Sequence, residues 1–393
     1  MNPTLRPGPR HLLRLTAIAS TACLALGCGW SSKASSGAGG STSTTAASSS
    51  STSSSTSSSG TGGATTGSSS SSSSGATTSS SSSTSSSSSS SGTGPTIAGC
   101  PLFPPDFPYN VDVSGAALDS GSATYIANLK ARAGAIVAEY PGDEHVNVVP
   151  QTQAMVSVQT TSAFGFDATD TFFQKGGAGA TAPIPSGVVY ENMANPNSDH
   201  HVMIVEQGSC VLYELYGWNP SSATAGWSAL VTWNLTKNEQ LPDGWGSTTA
   251  AGTPLLPGVI WYAEVAAGAI EHAIDIVIPG AAIAKYEYVK PAARSGGACG
   301  SNYPVDGFPY GGRLRLKASY DSSAYTGTQA KVVVAALKKY GMFNTDASGE
   351  TRSSFRLGDG TKLDQTDMAQ LAKLTWDDFE VPAMTVVHST ACN

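Results

Sequence analysis

A long tract of serine, threonine, glycine and alanine fills residues 31 to 95 of this 393-residue chain. Most of the tract has no apolar side chain larger than Ala, so it cannot offset the entropy cost of ordering its backbone. We expect a flexible tether with a random-coil reach on the order of 45 Å. A folded domain must therefore be built from residues 96–393, and this length is enough for one large domain with a sizeable core.

The segment before the tract has the layout of an export signal. Three arginines precede an apolar run over residues 15–26, which is shorter than the roughly 20 apolar residues that a transmembrane helix needs. The stretch "LALGC" resembles a bacterial lipobox, although its first leucine stands one position upstream of the usual place. We expect residues 1–28 to be a lipoprotein-type signal ending at a lipidated Cys28, followed by the tether over residues 29–95.

Such a protein would be exported and would lie in the outer membrane or at the cell surface. It would contact the membrane through its lipid anchor only. Secretion without a lipid is the alternative. The chain carries a net charge of −7 with 12% charged residues, so it has no basic surface of the kind that binds nucleic acid.

Four cysteines fall in the globular part, and an even number outside the cytoplasm predicts two disulfides. The sequence leaves three connectivities open. A bond between Cys100 and Cys392 would tie the two ends of the domain together, and Cys210 would then pair with Cys299. No two cysteines have the close spacing of a zinc site, so metal binding through thiolates is not expected. No cofactor is predicted.

Short apolar or alternating runs bounded by Gly, Pro and Asn recur through the domain and predict strands, among them Val259 to Ala263 and Ile270 to Ile278. Helical periodicity is clear in "TQAKVVVAALKKYGMF", which Gly341 would end, and in a shorter segment capped by Asp364. Tyr125 to Arg132 is a third candidate. The predicted fold is α+β and mainly β, an antiparallel sandwich or barrel-like sheet with two or three short helices.

The stretch "DHHVMIVEQGSCVLYELYGW" predicts a β-hairpin that turns at Gly208. If Glu206 pairs with Ser209, then His201 faces Glu214, and Asp199 shares their side of the hairpin. Directly opposed side chains have Cβ atoms about 4.5–5.5 Å apart, which is close enough for a carboxylate to hydrogen-bond to an imidazole.

A carboxylate beside an imidazole can form an acid/base pair, so His201 and Glu214 are the first candidates for catalysis, with Asp199 in support. The alternative is a satisfied polar pair at the rim of the sheet, with His200 pointing to solvent. His272 is the next candidate. It shares a predicted strand face with a row of isoleucines, where a histidine is more often a hydrogen-bonded core residue. It lies at the start of that strand, however, and strand ends are where sandwich and barrel enzymes place their reactive groups.

Two further patterns suggest substrate binding. Arg313 and Arg315 alternate with leucines in "RLRLKASYD" and form a basic row that suits an acidic substrate, although a solvated strand face is more common. Trp218 and Trp261 belong to a group of aromatic residues that would stack on sugar rings if exposed, or would be buried under loops.

The motifs "DHHVMIVEQGSCVLYELYGW", "LPGVIWYAEVAAGAIEHAI", "RLRLKASYD" and "ALKKYGM" resemble a family of secreted bacterial β-rich proteins. The resemblance covers roughly Phe107 to Phe379. It implies no particular activity and transfers no catalytic residue. Walker, dinucleotide-binding, HExxH and GxSxG motifs are absent from the sequence.

Three functions are compatible with these patterns. The first is an envelope-tethered enzyme that degrades extracellular polysaccharide, as a glycoside hydrolase that needs two carboxyls or as a lyase that needs a base and a cation. The second is a non-catalytic domain that binds a glycan or another cell surface. The third is metal-dependent chemistry through Asp199, His201 and His272, which rests on their spacing alone.

Overall fold

The two largest of the six β-sheets in the described part of the chain each have parallel and antiparallel strand pairs. The structure is a computed structural model that describes residues 94–138, 144–160, 180–195, 198–218, 226–227 and 229–389. These residues belong to one compact unit. The predicted signal with Cys28, nearly all of the predicted tether, and Cys392 lie outside the described residues.

The strands are mostly short. In chain order they are β1 (Thr96–Ile97), β2 (Cys100–Pro101), β3 (Ile136–Val137), β4 (Val146–Pro150), β5 (Val156–Thr160), β6 (Ala180–Ala182), β7 (Val202–Gln207), β8 (Val211–Tyr216), β9 (Gly226–Trp227), β10 (Ala229–Asn234), β11 (Ile260–Trp261), β12 (Ile274–Pro279), β13 (Ile283–Tyr288), β14 (Phe308–Tyr310), β15 (Arg313–Leu316), β16 (Met342–Ser348), β17 (Ser353–Phe355), β18 (Leu357–Gly358), β19 (Phe379–Glu380) and β20 (Val387–His388).

Four α-helices are described. They are α1 (Ser122–Arg132), α2 (Tyr262–Ala267), α3 (Gln329–Lys339) and α4 (Gln365–Met368). Among the described residues, no helix combines the length and the apolar content needed to cross a bilayer.

The first sheet has the order β10-β8-β7-β4 and is covered on both faces. Met203 and Val205 of β7 pack into one apolar cluster, whereas Val202 and Ile204 pack into another. Because successive side chains of a strand point to opposite faces, this double burial explains why β7 begins with four apolar residues in a row, Val202 to Val205.

The second sheet has the order β19-β15-β16-β12-β17-β3, and the largest apolar cluster includes residues from it. Ile274, Ile276 and Ile278 of β12 contribute to that cluster, as do Val333 and Leu337 of α3. Apolar residues three and four apart thus give α3 the buried face that its sequence predicts.

The predicted class, α+β and mainly β, is confirmed. The expectation of antiparallel sheets is corrected, because β4 pairs with β7 in parallel and β12 pairs with β16 in parallel. The predicted strand over Val259 to Ala263 is also corrected: β11 ends at Trp261 and α2 begins at Tyr262.

The predicted disulfide pairing was wrong. Cys100 bonds to Cys210, across a sequence separation of 110 residues. This bond excludes both Cys100–Cys392 and Cys210–Cys299, and it fastens the start of the folded chain to the turn of the β7–β8 hairpin. Cys299 is also disulfide-bonded.

Candidate functional site

The β7–β8 hairpin forms as predicted, but its register differs by two residues. Met203 faces Glu214, and the turn between Glu206 and Val211 is longer than the predicted one. A shift of two residues keeps each side chain on its predicted face. His201 accordingly lies against Tyr216, with ring centroids 5.2 Å apart, instead of facing Glu214.

Glu214 is fully buried and its carboxylate is surrounded by donors. The backbone N–H groups of Leu255 and Leu256 donate to Oε1 at 2.8 and 2.9 Å. Trp233 Nε1 and Thr248 Oγ1 donate to Oε2 at 3.0 and 3.2 Å. Burial raises the pKa of Glu214 to about 7 in spite of these donors. With four donors bound and no exposure to solvent, Glu214 fixes the loop over β8 and is not placed to meet a substrate.

His201 is also buried, and both of its ring nitrogens are engaged. Nδ1 lies 2.8 Å from Glu191 Oε2, and Nε2 lies 2.9 Å from the carbonyl oxygen of Thr248. Burial by itself would lower the pKa of His201, but the Glu191 carboxylate raises it to about 10. The same interaction lowers the pKa of Glu191 to about 2 against the opposing effect of burial. The sequence-predicted pair is therefore replaced by His201 and Glu191, with Thr248 between His201 and Glu214.

A second buried ion pair lies beside the first. Arg356 donates to Glu144 Oε1 at 2.9 Å and to Asp346 Oδ2 at 2.7 Å. Burial and then the charge of Glu191 raise the pKa of Glu144 to about 7, although Arg356 opposes them. Glu144, Glu191 and His201 each offer one ligand atom within 4.8 Å of the others. Among the described residues, this is the one group whose geometry would allow it to hold a metal ion.

A cavity of about 160 Å³ opens next to these buried groups. Its charged lining residues are Asp199, Asp346 and Arg294, and its polar lining is Tyr216, Ser247, Thr248 and Thr249. Asp199 is exposed and accepts a hydrogen bond from the Tyr216 hydroxyl at 3.2 Å. Asp346 keeps 18% of its side chain exposed, and burial raises its pKa despite Arg356.

Arg294 supplies the positive charge of this cavity. Its Nε donates to the Ala250 carbonyl at 3.1 Å, and within the described part of the chain no hydrogen bond holds its two terminal nitrogens. The cavity thus presents two carboxylates, a guanidinium with open donor positions, and four hydroxyls that donate within the protein and can accept a hydrogen bond from a ligand. Of the four residues predicted for catalysis, only Asp199 lines it.

The other two histidines of interest are buried, and both ring nitrogens of each have a hydrogen-bond partner. His272 is fully buried, with Nδ1 2.8 Å from the Ala273 carbonyl and Nε2 3.0 Å from Glu264 Oε2. Burial would lower the pKa of His272, but Glu264 raises it. His200 was expected to point to solvent and is instead buried between the carbonyls of Asn195 and Trp218.

The predicted basic row is not open to a substrate. Arg313 donates to the carbonyls of Tyr340, Pro108 and Val111, and burial lowers its pKa to about 9. Arg315 is 6% exposed and pairs with Glu380 Oε1 at 2.5 Å. Both arginines hold the segment before α1 against the second sheet.

The two tryptophans predicted to bind substrate, Trp218 and Trp261, lie apart from the cavity. Trp261 is 5% exposed and donates to the Leu256 carbonyl within the core. Trp218 packs against the apolar cluster of the first sheet, with its ring 6.5 Å from that of Tyr190. Trp261 is thus buried and Trp218 is half-buried, and neither tryptophan lines the cavity.

Sequence reasoning missed six residues of this region: Glu144, Glu191, Thr248, Arg294, Asp346 and Arg356. Their contacts join residues at least ten positions apart in the sequence, so spacing within one segment does not reveal them. No family model, no curated protein and no solved structure matches the chain.

Proposed function

We propose that the cavity binds a sugar residue of an extracellular polysaccharide and that the protein is a glycan-binding module at the cell envelope. The lining of the cavity carries this proposal: Asp199, Asp346, Arg294 and several hydroxyls converge on one space. Vicinal sugar hydroxyls donate to carboxylates and accept from guanidinium groups. This set of side chains can therefore pair with both the donors and the acceptors of a sugar.

The size of the cavity supports a small ligand. Its volume of about 160 Å³ is below the roughly 300–1,000 Å³ typical of pockets for drug-sized molecules. One sugar ring, or the end of a chain, is the part of a polysaccharide that such a space would enclose. A lipidated Cys28 and the serine-rich tether would hold the domain near the surface and let it reach glycans there.

The test is a titration of the full chain with a panel of neutral and acidic oligosaccharides, in which isothermal calorimetry measures the affinity for each. We expect Asp199→Asn and Arg294→Gln each to weaken binding about tenfold or more, because each removes a charge-assisted hydrogen bond. Asp306→Asn is the matched control, since Asp306 is an exposed carboxylate that pairs with Arg132. Absence of binding to every glycan, or equal affinity in all three variants, would contradict the proposal.

Hydrolysis is a second candidate because two carboxyls line one cavity in different surroundings. Asp346 is half-buried with a raised pKa, as a general acid requires, whereas Asp199 is exposed. We would then expect release of reducing sugar, and its loss in both Asp199→Asn and Asp346→Asn. Glycan binding without release of any product would mean that binding is the only role of the cavity.

A further inference from the structure

We infer that Glu144, Glu191 and His201 form a buried site for one divalent transition-metal ion, with zinc as the first metal to test. This inference is independent of glycan binding, because none of the three residues lines the cavity. It rests on four observations: the convergence of the ligand atoms, the hydrogen bond of the imidazole, an unpartnered carboxylate oxygen, and the balance of charge.

The three ligands come from separate segments and meet in the interior. Glu144 precedes β4, His201 precedes β7, and the N–H of Glu191 donates to the His201 carbonyl at 2.9 Å. One ligand atom of each lies within 4.8 Å of the other two, and all three residues are at most 2% exposed. Zinc bonds to nitrogen and oxygen are about 2.0–2.2 Å long, so small side-chain movements would bring the three atoms to bonding distance.

The imidazole of His201 is oriented as a metal ligand would be. The Thr248 carbonyl oxygen can only accept, so Nε2, at 2.9 Å from it, carries a proton. In a neutral imidazole this leaves the lone pair on Nδ1, the nitrogen that faces Glu191. Metal-bound histidines commonly donate their other ring N–H to a backbone carbonyl in this way.

Glu144 supplies an independent sign of a missing partner. Its Oε1 accepts from Arg356, but its Oε2 is fully buried and has no hydrogen-bond partner among the described residues. Leaving a carboxylate oxygen buried and unpartnered is costly, and such an oxygen in a native structure calls for an unseen ion, water or proton. A cation between Glu144 and Glu191 would satisfy it.

The charges of this region also favour a divalent ion. Metal ligands bind without their protons, so with an ion bound Glu144 and Glu191 would be carboxylates beside Asp346, and Arg356 is the guanidinium that pairs with two of these three groups. Metal binding would displace the proton that His201 Nδ1 shares with Glu191, and a neutral imidazole beside three carboxylates and one guanidinium leaves two negative charges for one divalent cation to balance. A set of one imidazole and two carboxylates suits zinc, manganese or iron(II) better than calcium, which takes six to eight oxygen ligands. Because all three ligands are buried, an ion held here would stabilise the folded state.

The experiment starts from the full chain, stripped with a chelator and dialysed against zinc chloride. We expect one zinc per chain by mass spectrometry of the metal, and a higher melting temperature than in the stripped protein. X-ray absorption at the zinc edge should show one imidazole and oxygen ligands at about 2.0 Å. Absence of bound zinc, or a shell without imidazole, would overturn the inference in favour of a His201–Glu191 ion pair that holds no metal.

Two variants test the assignment of the ligands. Glu144→Gln and His201→Gln should each lower zinc affinity more than about tenfold, a loss that even outer partners of metal ligands can produce. His388→Gln is the control, because His388 forms a surface pair with Glu287 at 3.2 Å and is 73% exposed. Unchanged zinc binding in both ligand variants would overturn the inference. If either variant fails to fold, the absorption spectrum of the unmodified protein decides.

Discussion

Glu214 and Asp275 are both fully buried carboxyls, but their surroundings differ. Glu214 accepts four hydrogen bonds, whereas Asp275 Oδ1 accepts one from the Tyr109 hydroxyl at 2.8 Å and its Oδ2 has no partner among the described residues. Burial raises the pKa of Asp275 to about 7 against that hydrogen bond. At this position the neutral carboxylic acid is the form that the fold prefers.

Replacement of Asp275 by Asn should therefore change how stability depends on pH. The pKa of about 7 lies above the unfolded value of about 3.9, so the folded chain binds the proton more tightly. The stability that this tighter proton binding adds to the folded state is fully present below pH about 4 and is lost as the pH rises through 7. Because Asn resembles the neutral acid, Asp275→Asn should gain a few kcal/mol relative to the unmodified protein between pH 4 and pH 8.

The measurement is urea unfolding of both proteins across that pH range. The informative quantity is the difference between their free energies of unfolding, which cancels the titration of all other groups. A difference that stays constant with pH would show that Asp275 is ionised in the folded chain throughout.

At the scale of single elements, glycines at helix ends allow a sharper test. Gly341 follows α3 with φ of +72°, and a Cβ at this position would lie 2.2 Å from the Leu314 carbonyl oxygen. Gly268 ends α2 with φ of +91°, and a Cβ there would meet nothing within 4 Å. Both glycines adopt the left-handed conformation, but only Gly341 also passes close to β15.

Gly341→Ala should therefore destabilise the fold more than Gly268→Ala. The left-handed conformation costs about 1 kcal/mol in either variant. Gly341→Ala adds a backbone clash, for which we expect a further loss of about 1–3 kcal/mol. Chemical unfolding of the two variants against the unmodified protein measures both values. Equal losses would mean that β15 moves away from the new methyl group at little cost.

Some elements could be predicted from sequence because their signals are local. The α3 helix has its apolar face, its final lysines and Gly341 within one segment, and Asp364 caps α4 by accepting from the N–H groups of Thr366 and Asp367. The hairpin register could not be predicted, because it depends on how many residues the turn takes up. The apolar run Val259 to Ala263 was ambiguous, since short apolar runs suit either strand or helix.

At the scale of the whole molecule, the candidate site depends on contacts between distant segments. Glu144 meets Arg356 through a bridge between Glu144 and Gly358, and Asp346 reaches the same arginine from β16. Periodicity within one segment contains no information on such pairings. The sequence therefore identified His201 and Asp199, which lie in a conspicuous stretch, and missed the partners that determine what these side chains can do.

The Cys100–Cys210 disulfide gives the last prediction. It closes a loop of 110 residues that contains β3 to β7 and the Glu144, Glu191 and His201 segments. In the chain-entropy model a loop of about 100 residues is worth roughly 4.7 kcal/mol, because the bond restricts the unfolded chain. We expect Cys100→Ala, Cys210→Ala and the double variant to lose similar amounts of stability in urea unfolding, since either change alone removes the bond. Additive losses, or a non-reduced digest that links Cys100 to Cys392, would contradict this pairing.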